Sequence, residues 1–193
     1  MPSSTHEYLT RLAALRGDAI LVTTMTAAKI WPQIEDGVLD FNYLPSAMSH
    51  AADIALGMAL AVPRRLVICV NGDGSLVMNL GGLVTAADAG AANLRMLVMD
   101  NGVYEVVGGG RIPGAGRTDY AALAAACGWP TAMRFSNAQE LADGWATFAG
   151  GPGPALAVLT TVDPPGTKIQ LPARHPRQAL RDLRAFLTGE RTV

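Results

Sequence analysis

The chain has 193 residues, half of them apolar and only 6% aromatic, with a formal net charge of −1. That length fits the roughly 100–200 residues of one domain and can bury a sizeable core, so a single domain over 1–193 is expected. The balanced charge leaves no electrostatic footprint for nucleic acid, and no apolar run approaches the roughly 18–20 residues that cross a bilayer.

The start, "MPSSTHEYLTRL", is polar and periodic and does not read as a secretion signal. Over 5–16 it places Tyr8, Leu9, Leu12 and Leu15 on one helical face, closed by Gly17. "AILVT" (19–23) is an unbroken apolar strand of the kind buried on both faces. The stretch from Thr24 to Ser49 has no clean period and reads as a long functional loop with one helical turn. "HAADIALGMALA" (50–61) is a helix of small residues, stopped by Pro63. "RLVICV" (65–70) is a second buried strand that runs into "NGDGS", with a helix following at about 77–90. "LRMLVM" (94–99) is a third strand, ending at Asp100. After a glycine-rich loop come a helix near 119–127, a strand near 132–135 and a helix at 137–148. "PALAVLTT" (154–161) is the last strand, and a helix near 176–188 closes the chain.

Strands alternating with helices indicate a mainly parallel sheet covered on both faces, an α/β/α sandwich of three layers. Cys69 and Cys127 lie in or beside apolar segments without metal-like spacing. They read as reduced core thiols of a cytoplasmic protein. The Arg-rich "RHPRQALRDLR" reads as a solvated helix face.

In such a sheet ligands sit beyond the carboxyl ends of the strands. Asp73 lies just past the end of one strand and Asn101 just past the end of the next, with 27 residues between them. That spacing suits a right-handed crossover, which commonly sets two strands side by side, so the two side-chain oxygens can converge. Alone, Gly-Asp-Gly is also an ordinary turn; the paired arrangement after two apolar strands argues for more. One carboxylate plus amide and backbone oxygens suits Mg2+ or Ca2+, with ligand phosphate oxygens or water completing the shell. Gly72 and Gly74 let the backbone approach that ligand, and the helix after Ser75 offers its first amides to an anion.

"GDGS" followed by "MDNGVYE" resembles the motif of thiamine-diphosphate enzymes, and nearly the whole chain resembles their diphosphate-binding domain. "SAMSHAADIALGMALA" and "DNGVYEVVGGG" are similar to stretches of the sulfopyruvate and phosphonopyruvate decarboxylases. The resemblance implies a thiamine-diphosphate-binding fold. It also implies Mg2+ held by Asp73, the side chain of Asn101 and the carbonyl of Val103, with Tyr104 beside them at the cofactor. Gly72, Gly74, Ser75 and the loop residue Thr26 would meet the diphosphate. Met25 replaces a common glycine in that loop, and Asp100 stands where many relatives carry an asparagine. Ser46 and Met48 would hold the aminopyrimidine ring, Met48 as the wedge that bends the cofactor.

His50 and Glu105 are candidate catalytic groups, and Arg111 and Arg117 lie in "GGGRIPGAGR", which suits a lid closing on an anionic substrate. The glutamate that activates the pyrimidine ring lies in the family on a separate domain, for which this chain has no strands. The resemblance therefore implies a subunit of a heteromeric 2-oxo acid decarboxylase. Its partner would be a pyrimidine-domain subunit of similar size, in an α2β2 or larger hetero-oligomer. An acetolactate-synthase-like carboligase subunit would share the same residues, and a non-catalytic cofactor-binding or regulatory module is the alternative outside enzymes.

Overall fold

The apolar runs of the sequence become the strands of one sheet, and the helices between them cover its two faces. A computed structural model describes residues 1–42, 48–163 and 174–189. Its main sheet contains β1 (Ile20–Thr23), β2 (Asp40–Asn42), β3 (Val67–Gly72), β4 (Leu94–Asp100), β7 (Thr131–Phe135) and β8 (Ala155–Thr160), in the order β2-β1-β3-β4-β8-β7. Every neighbouring pair runs parallel.

Side chains alternate between two cores. On one face Ile20, Val22, Cys69, Met96 and Val98 meet α3 (Ala51–Ala61), α5 (Gly81–Ala89), α6 (Tyr120–Ala126) and α8 (Pro176–Thr188). On the other, Leu21, Ile68, Val70 and Leu97 meet α1 (Thr5–Leu15), α2 (Met25–Ile30) and α7 (Ala138–Gly150). The three-layer sandwich read from the sequence is the fold observed. Two helix starts are capped by side chains: Ser4 and Glu7 form a reciprocal capping box on α1, and Asn137 caps α7. No helix among the described residues is long and apolar enough to cross a membrane.

Three stretches differ from their expected form. The loop expected over Thr24–Ser49 contains α2, a 3-10 turn at Trp31–Gln33 and β2. Strand β2 had no apolar signature because two of its three residues are polar and satisfied internally. Asp40 is buried and pairs with Arg16 at 2.5 Å, while Arg16 also meets Glu35 at 2.7 Å and lies 5.1 Å over the Trp31 ring. Burial is the first cause of the upward shift in the Asp40 pKa, with Arg16 among the groups opposing it. Arg16→Met is therefore expected to destabilise the chain by about 3–5 kcal/mol, because it strands a buried carboxylate. Denaturant unfolding checks this; a loss under about 1 kcal/mol would show that Asp40 is not held by its ion pair.

The helix expected at 77–90 begins earlier, as α4 (Asp73–Met78), and restarts as α5 after Asn79 and Leu80. The glycine-rich loop carries a small antiparallel hairpin, β5 (Val103–Tyr104) and β6 (Gly110–Arg111).

Candidate functional site

Strands β3 and β4 are hydrogen-bonded neighbours at the middle of the sheet, in a register that sets Gly72 opposite Met99. Their carboxyl ends therefore deliver Asp73, the first residue of α4, and Asn101 to the same edge. The Asp73 carboxylate is 2% exposed; Oδ1 accepts from Gly74 N at 2.9 Å and Oδ2 from Gly102 N at 2.8 Å. Gly102 makes this turn with φ of +73°, a region that favours glycine. Burial pushes the Asp73 pKa up to about 7; the two amide bonds oppose the shift and the neighbouring Asp100 carboxyl adds to it. A cation beside this carboxylate would favour its charged form. Asn101 Oδ1 accepts from Val103 N at 3.0 Å, which turns the chain into β5.

These residues line a cleft together with Thr24, Met25, Thr26, Met48, Asn71, Gly72, Gly74, Ser75, Val103, Tyr104 and Glu105. The residues predicted as catalytic, cofactor-binding or metal-binding are thus brought together with two exceptions, while Arg111 and Arg117 are exposed and outside this lining. Ser46 lies outside the described residues. His50 is outside the cleft lining; its exposed ring places Nδ1 2.9 Å from Asp53 Oδ2 at the start of α3.

Others are engaged in specific ways. Thr26 Oγ1 donates to Glu105 Oε2 at 2.8 Å, joining residues 79 apart across the cleft. Ser75 Oγ accepts from Ser49 N at 2.8 Å and so ties α4 to the turn before α3. A Cβ at Gly72 would meet nothing within 4 Å, whereas one at Gly74 would lie 2.5 Å from the Tyr104 ring and 3.1 Å from Ile112. The missing side chain at Gly74 thus makes room for Tyr104 as well as for any ligand. In the segment expected as a lid, Ile112 is buried and Arg111 donates to the Ala115 carbonyl at 2.6 Å, while Gly108, Gly109, Gly110 and Arg117 are exposed.

Sequence reasoning missed Thr24 and Asn71. Both are buried in the cleft wall, and Thr24 Oγ1 and Asn71 Nδ2 find no hydrogen-bond partner among the described residues. Buried polar groups are rarely left so. Asn71, a polar residue ending an apolar strand directly before Gly-Asp-Gly, was the available signal. No group of three or more His, Cys, Asp or Glu that could hold a metal occurs among the described residues. The donor set is one buried carboxylate, amide and backbone oxygens, and unpaired donors beside them. This fits a cation that shares its shell with a phosphate-bearing ligand, not a metal caged by protein alone.

A parallel α/β sandwich with such a cleft at its strand ends defines a cofactor-binding domain of the α/β class. Residues 22–159 match the C-terminal TPP binding domain of thiamine pyrophosphate enzymes. The chain belongs to this family. It is 35% identical over 187 residues to a phosphonopyruvate decarboxylase of Streptomyces viridochromogenes, covering 93% of this chain and 46% of that protein. With the β subunit of sulfopyruvate decarboxylase from Methanothermobacter thermautotrophicus it shares 47% identity over 66 residues, 34% of this chain and 35% of that subunit. The structure of benzoylformate decarboxylase from Polynucleobacter necessarius superimposes with a TM-score of 0.73 at 17% identity, over 89% of this chain and 34% of that one. That last likeness shows the fold. The chain spans about half the length of the phosphonopyruvate decarboxylases it matches.

Proposed function

We propose that this chain is the thiamine-diphosphate- and Mg2+-binding subunit of a heteromeric 2-oxo acid decarboxylase of the sulfopyruvate or phosphonopyruvate type. The observation that carries the reading is the convergence of Asp73 and Asn101 from adjacent strands, in a member of the thiamine pyrophosphate enzyme family. Asp73, Asn101 and the Val103 carbonyl would hold Mg2+. Thr24, Thr26, Asn71 and the Gly72–Ser75 backbone would meet the diphosphate, and Met48 with Ser46 the aminopyrimidine. Tyr104, packed against Gly74, walls the site. When bound, the cofactor supplies the electron sink for loss of CO2.

Glu105, which accepts a hydrogen bond from Thr26 and lines the cleft, would orient Thr26 and serve as an acid–base group toward the substrate. His50 stays a candidate only if a partner carries it toward the site. The need for a partner is supported by a relative named as a β subunit.

The test is reconstitution with a pyrimidine-domain protein of similar size. The chain alone should release no CO2 from sulfopyruvate or phosphonopyruvate above background, and the pair should release it. Within the pair, Glu105→Gln should lower kcat at least about tenfold, as loss of an acid–base group does, with cofactor affinity kept within about threefold. A pair that binds the cofactor but decarboxylates no 2-oxo acid sinks the decarboxylase reading.

A further inference from the structure

Asp100 ends β4 one residue before Asn101, and the β3–β4 register brings it to the same edge of the sheet as Asp73. Two neighbouring carboxylates would make a strong hard-ion cage, able to hold a divalent cation with little help from a ligand. Arg134 stands against that outcome. It lies on the edge strand β7 and reaches across β8 to β4, with Nη1 3.4 Å from Asp100 Oδ2. Its Nη2 is 3.6 Å from Asp119 Oδ1, and Asp119 is already occupied in capping α6. Tyr120, the first residue of α6, is buried and its hydroxyl finds no hydrogen-bond partner among the described residues. Among the described residues, Arg134 is the cation paired with Asp100.

We propose that Arg134 is a charge-balancing residue for the cation site. By pairing with Asp100 it withholds the second carboxylate from the metal, so that the cation depends on Asp73, Asn101 and the oxygens that an anionic ligand brings. This rests on the reading of Asp73 and Asn101 as a divalent-cation site. It gives the substitution an unusual sign. Removing Arg134 should tighten cation binding, whereas loss of a merely structural contact would weaken it. Side-chain exposures of 38% for Arg134 and 21% for Asp100 keep the effect modest and salt-sensitive.

The experiment titrates Mn2+ into the full chain with thiamine diphosphate present, following the free ion by its EPR signal at low ionic strength. Arg134→Gln should bind Mn2+ about threefold to fivefold more tightly than wild type, in keeping with partly screened charges. Arg134→Lys, which keeps the charge, should bind as wild type does, and adding Asp100→Asn to Arg134→Gln should remove the gain. Unchanged or weaker binding by Arg134→Gln overturns the proposal. Asp73→Asn separates the two readings. If it loses Mn2+ while Arg134→Gln has no effect, only the role of Arg134 fails. If Asp73→Asn binds Mn2+ as wild type does, the cation site itself fails.

Discussion

Asp73→Asn is expected to lower Mg2+-dependent affinity for thiamine diphosphate by more than about 100-fold, since changes to groups merely orienting a metal's ligands already cost about 10–100-fold. The substitution keeps the shape of the side chain and removes its charge. The buried amides of Gly74 and Gly102 now donate to the two carboxylate oxygens. Asparagine leaves one of them without its acceptor, a cost of about 1–3 kcal/mol. Against this, an uncompensated buried charge disappears, which offsets part of the loss. The folded state should therefore persist, with a thermal midpoint shifted by only a few degrees. Calorimetric titration of thiamine diphosphate and Mg2+, read beside a melting curve, checks both halves. Unchanged cofactor affinity in a folded Asp73→Asn protein would remove Asp73 from the site.

Gly74→Ala carries the second-largest expected effect. A Cβ there meets Tyr104 Cε1 at 2.5 Å and Cδ1 at 2.7 Å, closer than carbon atoms pack. The Tyr104 ring would have to move, and with it β5, whose partner strand β6 leads directly into the buried Ile112. Overpacking of this kind costs about 1–3 kcal/mol. If the displaced hairpin disturbs the Val103 and Asn101 donors, cofactor affinity should fall about 10–100-fold, while the sheet, remote from Tyr104, keeps its far-ultraviolet signature. Gly72→Ala is the control, because its Cβ would enter open space. It should leave the melting temperature unchanged. Equal stability for Ala at both positions would show that Tyr104 yields without cost.

The layers of the fold were legible because they rest on long apolar runs. Strands β1, β3, β4 and β8 are buried on both faces and carry few polar residues, so composition alone marks them. Strand β2 was illegible because its stability comes from the Arg16–Asp40 pair, a contact between residues 24 apart that no local window contains. The β5–β6 hairpin was missed because it has two residues per strand and a glycine-rich turn.

Within the site, Asp73 and Asn101 could be paired from spacing, since a crossover of that length commonly joins neighbouring strands. The Thr26–Glu105 contact could not, because it depends on where two loops meet above the sheet. Thr24 and Asn71 were hidden for another reason. Thr24 follows Thr23 at the end of β1 and Asn71 lies near the end of β3, and only burial without a partner among the described residues distinguishes them from ordinary strand termini.

The position of β3 and β4 has a consequence for how the molecule breathes. Amides on these central strands, flanked by β1 and β8 and buried on both faces, can exchange with solvent only when the whole sheet opens. Strand β2 is three residues long and lies at an edge, so it can open alone at a fraction of that free energy. Asp73 and Asn101, proposed as donors for the cation, therefore follow directly on the best-protected strands of the chain. Local fluctuations can loosen the sheet at its β2 edge while the anchor at Asp73 and Asn101 stays in register.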